Sequence, residues 1–317
     1  MAAVARLRGH PPQLTACVRG LGTLVLVTLA GCGSTHVVKP WPRPEPLQPK
    51  ASSIPLASLR GRIVFSRGDD IWSARADGSH AKRVTTRPGP EFDPSWSPDG
   101  SRIAYRDSRH GINRNDEIYT IDANGTRRRN LTRSPTNEWS PSWSPDGKLI
   151  AFYSGQLYVM HSDGSGARPI TNVEGEYPAW SPDGQQIAFM SSQPNARGAD
   201  PNYDIFVVNR DGTALRQLTS WPGEDGWPAW SPDGKRIVFT TTHGTASERY
   251  DLWIMLADGS RKHRLTAGSF SVWSPDGRAI MFSTGDEERL AVIRPDGSGL
   301  RTWPIRGELP DWHRAAP

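Results

Sequence analysis

Trp96-Ser97-Pro98-Asp99-Gly100 is a phrase that the chain repeats. It returns as Trp143-Ser144-Pro145-Asp146-Gly147, Trp180-Ser181-Pro182-Asp183-Gly184, Trp230-Ser231-Pro232-Asp233-Gly234 and Trp273-Ser274-Pro275-Asp276-Gly277. A degenerate copy, Pro310-Asp311-Trp312, lies near the end. Successive tryptophans stand 47, 37, 50, 43 and 39 residues apart. Each phrase reads as a tight turn. Proline presets one corner, glycine accepts a positive φ, and serine and aspartate bond nearby backbone N–H groups.

Around the turn, each unit reads as four short strands. In the third unit Tyr177–Trp180 runs into the turn (strand a) and Ile187-Ala188-Phe189 leaves it (strand b). A third run, such as Gln156-Leu157-Tyr158 or Asp251-Leu252-Trp253, ends in Asp-Gly or Asn-Gly, a strong hairpin signal. The fourth ends in Val84-Thr85, Leu131-Thr132, Ile170-Thr171, Leu218-Thr219 or Leu265-Thr266. Four strands of about four to five residues cannot bury both faces alone, so the units must pack on one another. The recurring tryptophans then fill the space between neighbours. No helical period interrupts residues 61–312.

The ends specify closure. The first unit begins with a b strand, Arg62-Ile63-Val64-Phe65, and lacks an a strand; the chain finishes with an unmatched a strand, Leu309-Pro310-Asp311-Trp312. Pairing the two hides both sheet edges. The expected fold is therefore all-β: a six-bladed β-propeller of four-stranded antiparallel blades over residues 61–317, closed by the C-terminal strand.

Upstream, residues 1–31 read as an export signal. Arg6, Arg8 and Arg19 precede or flank an apolar run from Leu21 to Ala30, which is too short for a permanent span. It ends in Leu29-Ala30-Gly31-Cys32, which resembles a bacterial lipobox, cleaved before a cysteine that becomes lipidated. Of two cysteines in the chain, Cys17 lies in the removed segment and Cys32 becomes the acyl site. Residues 32–60, punctuated by Pro40, Pro42, Pro44, Pro46, Pro49 and Pro55, form an extended tether, with partial packing on the propeller as the alternative. The expected location is the bacterial cell envelope, anchored through the N-terminal lipid. The formal net charge of +5 includes the three signal arginines, so the exported part is near neutral, which argues against a nucleic-acid partner.

In this fold the a–b and c–d turns share one face, and the d–a and b–c connections share the other. The first face is uniform here; the second varies in length and composition, and carries the binding potential. Acids and aromatics precede the inner strands: Glu91, Asp93, Glu138, Trp139, Glu176, Tyr177, Asp225, Trp227, Phe270 and Glu308. They are the expected binding rim of the central channel, where converging acids favour a basic peptide or a cation.

Enzymatic signatures are missing: neither Gly-x-Ser-x-Gly nor His-Glu-x-x-His occurs. His110 and His243 fall in loops of the varied face, in opposite blades. No catalytic residue, metal ligand or cofactor is assigned. The expected function is a non-catalytic scaffold for an envelope protein or peptide; the alternatives are a channel-mouth hydrolase or lyase, or a carbohydrate-binding propeller.

The repeats, for example Asp93-Pro94-Ser95-Trp96-Ser97-Pro98-Asp99-Gly100 followed by Ile103-Ala104-Tyr105 and Asn124-Gly125, resemble the PD40 (WD40-like) repeats of the TolB β-propeller family. The resemblance spans residues 61–312 and implies a six-bladed propeller with binding roles in the envelope. It departs from TolB itself in leaving no room for an N-terminal α/β domain and in carrying its own lipobox. Similar repeats occur in prolyl-oligopeptidase-like peptidases, whose hydrolase domain is not seen here.

Overall fold

A computed structural model describes residues 53–108, 115–192, 202–244, 249–284 and 289–313. The export segment 1–31, Cys32, the tether up to residue 52 and His110 lie outside the described residues. Within them, six four-stranded antiparallel sheets form the six blades. Blade 1 holds β1 (Arg62–Arg67), β2 (Asp70–Arg75) and β3 (Lys82–Arg83); blade 2 holds β4 (Glu91–Trp96), β5 (Arg102–Ser108), β6 (Asp116–Asp122) and β7 (Arg129–Asn130). Blade 3 runs through β8 (Trp139–Trp143), β9 (Leu149–Tyr153), β10 (Leu157–His161) and β11 (Arg168–Pro169). Blade 4 comprises β12 (Glu176–Trp180), β13 (Gln186–Ser191), β14 (Asp204–Asn209) and β15 (Arg216–Gln217). Blade 5 is β16 (Asp225–Trp230), β17 (Arg236–Thr241), β18 (Asp251–Leu256) and β19 (His263–Ala267). Blade 6 follows with β20 (Ser269–Trp273), β21 (Ile280–Thr284), β22 (Arg289–Ile293) and β23 (Arg301–Arg306), and β24 (Glu308–His313) ends the fold.

Closure occurs as the termini require. Strand β24 pairs antiparallel with β1, placing Trp312 opposite Ile63 and Asp311 opposite Val64. Blade 1 is thus built from both ends of the fold, in the order β24-β1-β2-β3.

Each Trp-Ser-Pro-Asp-Gly turn is held by its serine and aspartate side chains. The Ser97 hydroxyl donates to Asp99 Oδ1 at 2.5 Å and accepts the Arg102 N–H at 2.9 Å. Asp99 Oδ1 also accepts the Ser101 N–H at 3.0 Å. The Ser97 bond, first among these contacts, holds the Asp99 carboxyl down to a pKa of about 2. The same serine–aspartate bond recurs at Ser144, Ser181, Ser231 and Ser274. In the c–d turns glycine is required by contact as well as by φ. Gly125 has φ +87°, and a Cβ there would stand 2.7 Å from the Val84 carbonyl oxygen of the preceding blade.

Hydrophobic clusters fill the inter-blade spaces, each joining one blade to the next. Between blades 1 and 2, Val64, Ile71 and Val84 meet Trp96, Ile103 and Tyr105. Two of the tryptophans bond back to the preceding blade: Trp180 Nε1 donates to Ser142 O at 3.1 Å and Trp273 Nε1 to Ala229 O at 3.1 Å. The closing junction adds a strap. Ile54 is buried with Trp303 and Trp312, its N–H donates to Gly299 O at 3.2 Å, and Trp312 Nε1 donates to Arg60 O at 2.9 Å. The last residues of the proline-rich segment therefore lie on the propeller, on the uniform turn face.

The outer strands differ from expectation. Four of them pair over only two residues. In three of these blades a threonine side chain takes over: Oγ1 of Thr85, Thr132 and Thr219 accepts the N–H of Ile71, Ile118 and Ile205 at 2.8–3.0 Å. A side-chain oxygen replaces the backbone carbonyl, so the strand stops early without stranding a donor.

Trp312→Ala, which leaves a cavity at the closing junction, is expected to cost about 3–5 kcal/mol in urea unfolding. An unchanged midpoint would mean that the ring does not depend on β24.

Candidate functional site

Each inner strand carries one non-glycine residue with positive φ, three positions before its tryptophan: Asp93, Ser140, Tyr177, Trp227, Phe270 and Leu309, with φ between 48° and 54°. In five of the six the next residue is proline. Proline offers no N–H to the b strand, and the pairing register shifts at this point in every blade. The result is a bulge that re-aims the preceding side chain. Such backbone costs on the order of 1–3 kcal/mol per residue and persists only where the surroundings impose it.

These bulges line the central channel, a cavity of about 180 Å³ bordered by all six inner strands. Its wall has two unlike halves. Blades 4, 5 and 6 supply Tyr177, Trp227 and Phe270, with ring centroids 5.3 Å apart for the first pair and 5.0 Å apart, perpendicular, for the second. Tyr250 meets the Trp227 ring edge-on at 5.3 Å. Blades 1, 2 and 3 supply Leu309, Asp311, Asp93 and Ser140.

The polar half is organised by a half-buried cation. Arg106, on β5, places Nε 3.4 Å from Asp93 Oδ2 and an Nη atom 3.6 Å from Asp116 Oδ2. Its guanidinium lies over Phe92 at 5.0 Å and Trp139 at 5.7 Å. Burial opposes the Arg106 charge, but Asp93 and Asp116 outweigh it and its pKa is raised. Asp93 Oδ2 accepts the Ser140 N–H at 3.3 Å, while Asp93 Oδ1 has no hydrogen-bond partner. Asp311 accepts the Trp96 N–H at 2.6 Å and the Trp312 N–H at 2.8 Å; burial raises its pKa.

The rim acids identified in the sequence divide by depth. Glu91, Glu138 and Asp225 are only 1 %, 1 % and 0 % exposed. Each sits at a blade junction against a second acid from the head of the preceding c strand: Asp70, Glu117 and Asp204 respectively. Hydroxyls bind some of these oxygens, as Thr136 Oγ1 does Glu138 Oε1 at 2.6 Å and Thr132 Oγ1 does Glu117 Oε2 at 2.7 Å. Burial, the largest cause, pushes Glu91 and Asp225 up to about 7 and Asp204 up to about 6. These three acids lie beneath the varied face and outside the channel wall. Glu176 is half-buried, accepts the Tyr203 hydroxyl at 3.4 Å and is raised to about 7, by burial first and Glu174 second. Glu308 is half-buried at the head of β24. Trp139 packs on Tyr153, with centroids 5.0 Å apart.

The structure thus brings Asp93, Tyr177, Trp227 and Phe270 together around one opening. Arg106, Tyr250 and Asp311 join them without having been singled out. Arg106 did leave a signal: the residues matching it in the other b strands are Ser66, Tyr153, Met190, Thr240 and Ser283, none of them charged. His243 stacks on Trp221 at 4.6 Å, away from this wall. Among the described residues, no group of three or more His, Cys, Asp or Glu is placed to hold a metal ion.

The family profile of the PD40 TolB β-propeller domain matches residues 65–198 and 175–303. No curated protein matches the chain. Among solved structures, TolB from Acinetobacter baumannii is 25% identical with a TM-score of 0.66, over 80% of this chain and 66% of that one. The chain thus spans just under two thirds of that protein's length. A putative TolB from Agrobacterium tumefaciens is 22% identical, TM-score 0.60, over 77% of this chain and 88% of that one. An oligogalacturonate lyase in complex with manganese, 14% identical with a TM-score of 0.53 over 73% of each chain, shares the fold.

The buried acids make stability depend on pH. With Glu91 and Asp225 raised to about 7, the folded state holds protons that the unfolded chain has already released. Their contribution is complete below about pH 4 and is lost as pH rises to about 7. The melting temperature should therefore fall on going from mildly acidic to mildly alkaline buffer. Asp225→Asn, which mimics the neutral form, should flatten that fall and stabilise the alkaline sample by a few kcal/mol. Identical pH profiles for both proteins would show that Asp225 is ionised in the fold.

Proposed function

The chain belongs to the PD40 TolB β-propeller domain family, and from that premise we propose that it is a non-catalytic binding scaffold of the bacterial cell envelope. It is exported, cleaved before Cys32 and anchored by acyl chains on that cysteine. Its varied loop face and channel mouth take up a segment of an envelope protein or peptide.

The observation that carries this reading is the two-sided channel wall. Three aromatic rings from consecutive blades form a half-exposed arc opposite the pair of buried Asp93 and half-buried Arg106. Aromatic residues lose little side-chain entropy and anchor protein contacts well. A cavity of about 180 Å³ is smaller than the roughly 300–1,000 Å³ of sites for drug-sized molecules. It suits one or two inserted side chains. Asp93 Oδ1, buried and without a partner, offers an acceptor to a donor on that segment. The half-buried acids Glu174, Glu176 and Glu224 around the mouth favour a segment with basic residues.

The test is affinity capture from solubilised membranes with the intact lipoprotein as bait. Trp227→Ala and Phe270→Ala should each lower recovery of the principal partner at least about tenfold, as hot-spot truncations do. Lys235→Glu, on the opposite face, should leave recovery unchanged. Circular dichroism checks that each bait is folded. Equal recovery by all four baits would exclude the channel mouth as the binding site.

A further inference from the structure

The uniform turn face carries one feature that the repeats do not generate. An open groove of about 760 Å³ lies between the point where the chain enters blade 1 and the c–d turn of blade 2. Arg60, Arg62, Arg75, Lys82 and His80 line it, with Asp77 as its one carboxylate. Asp77 is already engaged: Oδ1 accepts the Ser79 N–H at 2.8 Å and the Ser79 hydroxyl at 2.7 Å, and these bonds hold its pKa down.

None of the four permanent cations forms an ion pair among the described residues. Arg60 donates to the Ala57 carbonyl oxygen at 2.7 Å. Arg62 lies over the Trp96 ring at 4.5 Å, which fixes its guanidinium in the groove wall. Its partial burial disfavours the charge and lowers its pKa. Arg75 and Lys82 are exposed at the far wall. At the position of Arg75 the other blades carry Asp122, His161, Asn209, Leu256 and Arg294, and only in the neighbouring blade 2 is that residue an acid, which pairs with Arg127 at 3.3 Å.

Like charges gathered on a concave surface focus a positive potential, and guanidinium forks match the oxygens of a phosphate ester. We propose that this groove binds the phosphate of an anionic phospholipid headgroup. The choice of a lipid rests on the lipoprotein reading above. The described chain begins at residue 53 on this same turn face, where Ile54 and Arg60 lie, and Cys32 is 21 residues upstream. Headgroup binding would seat the turn face on the bilayer and leave the channel mouth facing away from it.

The experiment has two arms. In the first, the lipoprotein in neutral detergent is titrated with glycerol phosphate, a soluble headgroup, by calorimetry. This arm needs no anchor. In the second, the lipoprotein is placed in nanodiscs of phosphatidylcholine alone or mixed with phosphatidylglycerol, and hydrogen exchange is followed at residues 73–82. Anionic discs should protect that segment, and added salt should remove the protection. Arg75→Gln with Lys82→Gln alters two exposed side chains and spares the core. It should weaken binding by about fivefold per charge, roughly 25-fold together. Arg62→Gln provides an independent check within the groove wall. Equal affinity of the double variant and the parent, or equal protection in neutral and anionic discs, would overturn the proposal. Binding of glycerol phosphate without protection in anionic discs would overturn the lipid assignment and leave a soluble phosphate as the ligand. The mass of the N-terminal peptide reports separately whether Cys32 is acylated.

Discussion

The pairing of β24 with β1 is the constraint from which the rest follows. A four-stranded blade has two apolar faces and two open edges, and no blade here can satisfy them alone. Stacking covers the faces; only closure leaves no first and last blade. The junction is reinforced where it is most exposed to failure. Asp311 binds the Trp96 N–H of blade 2 at 2.6 Å, so the last strand is tied to the neighbouring blade as well as to its own sheet. Trp312 is held by Arg60 O, and Ile54 covers the seam between blades 6 and 1. A carboxylate taken out of water is tolerable there because two backbone N–H groups meet it.

A closed ring can also hold backbone that a free strand would relax. Six residues sit at positive φ on the inner strands, five of them ahead of a proline. The residue before proline ordinarily prefers extended backbone at negative φ. That preference is overridden five times at the same place, because each inner strand must pair with its b strand and still face the axis. The bulge is thus a consequence of the fold, and the choice of side chain on it is free. Blades 4, 5 and 6 use that freedom for aromatics, and blades 2 and 3 for Asp93 and Ser140. The channel's asymmetry comes from substitutions at a structurally uniform position.

This division explains what could be read beforehand. Turns, blade count, tryptophan packing and closure depend on local chemistry repeated many times, and the Trp-Ser-Pro-Asp-Gly phrase states it directly. The two-residue outer strands were hidden because a threonine hydroxyl stands in for a carbonyl, a choice invisible to strand periodicity. The rim aromatics Tyr177, Trp227 and Phe270 were legible from their place before the inner strands. The depth of the acids was not. Glu91, Glu138 and Asp225 lie five residues before the tryptophan, Asp93 lies three before it, and the bulge between sends the two positions in different directions. Arg106 departs from the other b strands by a single residue, and its meaning appears only once Asp93, Asp116, Phe92 and Trp139 surround it.

The two faces also treat the same chemical group in opposite ways. On the turn face, Asp99 is fixed in its ionised form by the hydroxyls and N–H groups of its own turn, with a pKa of about 2. Beneath the loop face, Glu91 and Asp225 are pushed to about 7 by burial. A count of acids therefore overstates the negative potential of the loop face near neutral pH. It also understates the positive potential of the blade 1 groove, whose single carboxylate is occupied by its own turn. In the binding role proposed above, recognition at the channel mouth would depend chiefly on ring contacts and on the Asp93–Arg106 pair, with the half-buried acids adding a pH-dependent bias. The turn face, for all its regular aspartates, presents cations at the blade 1 groove.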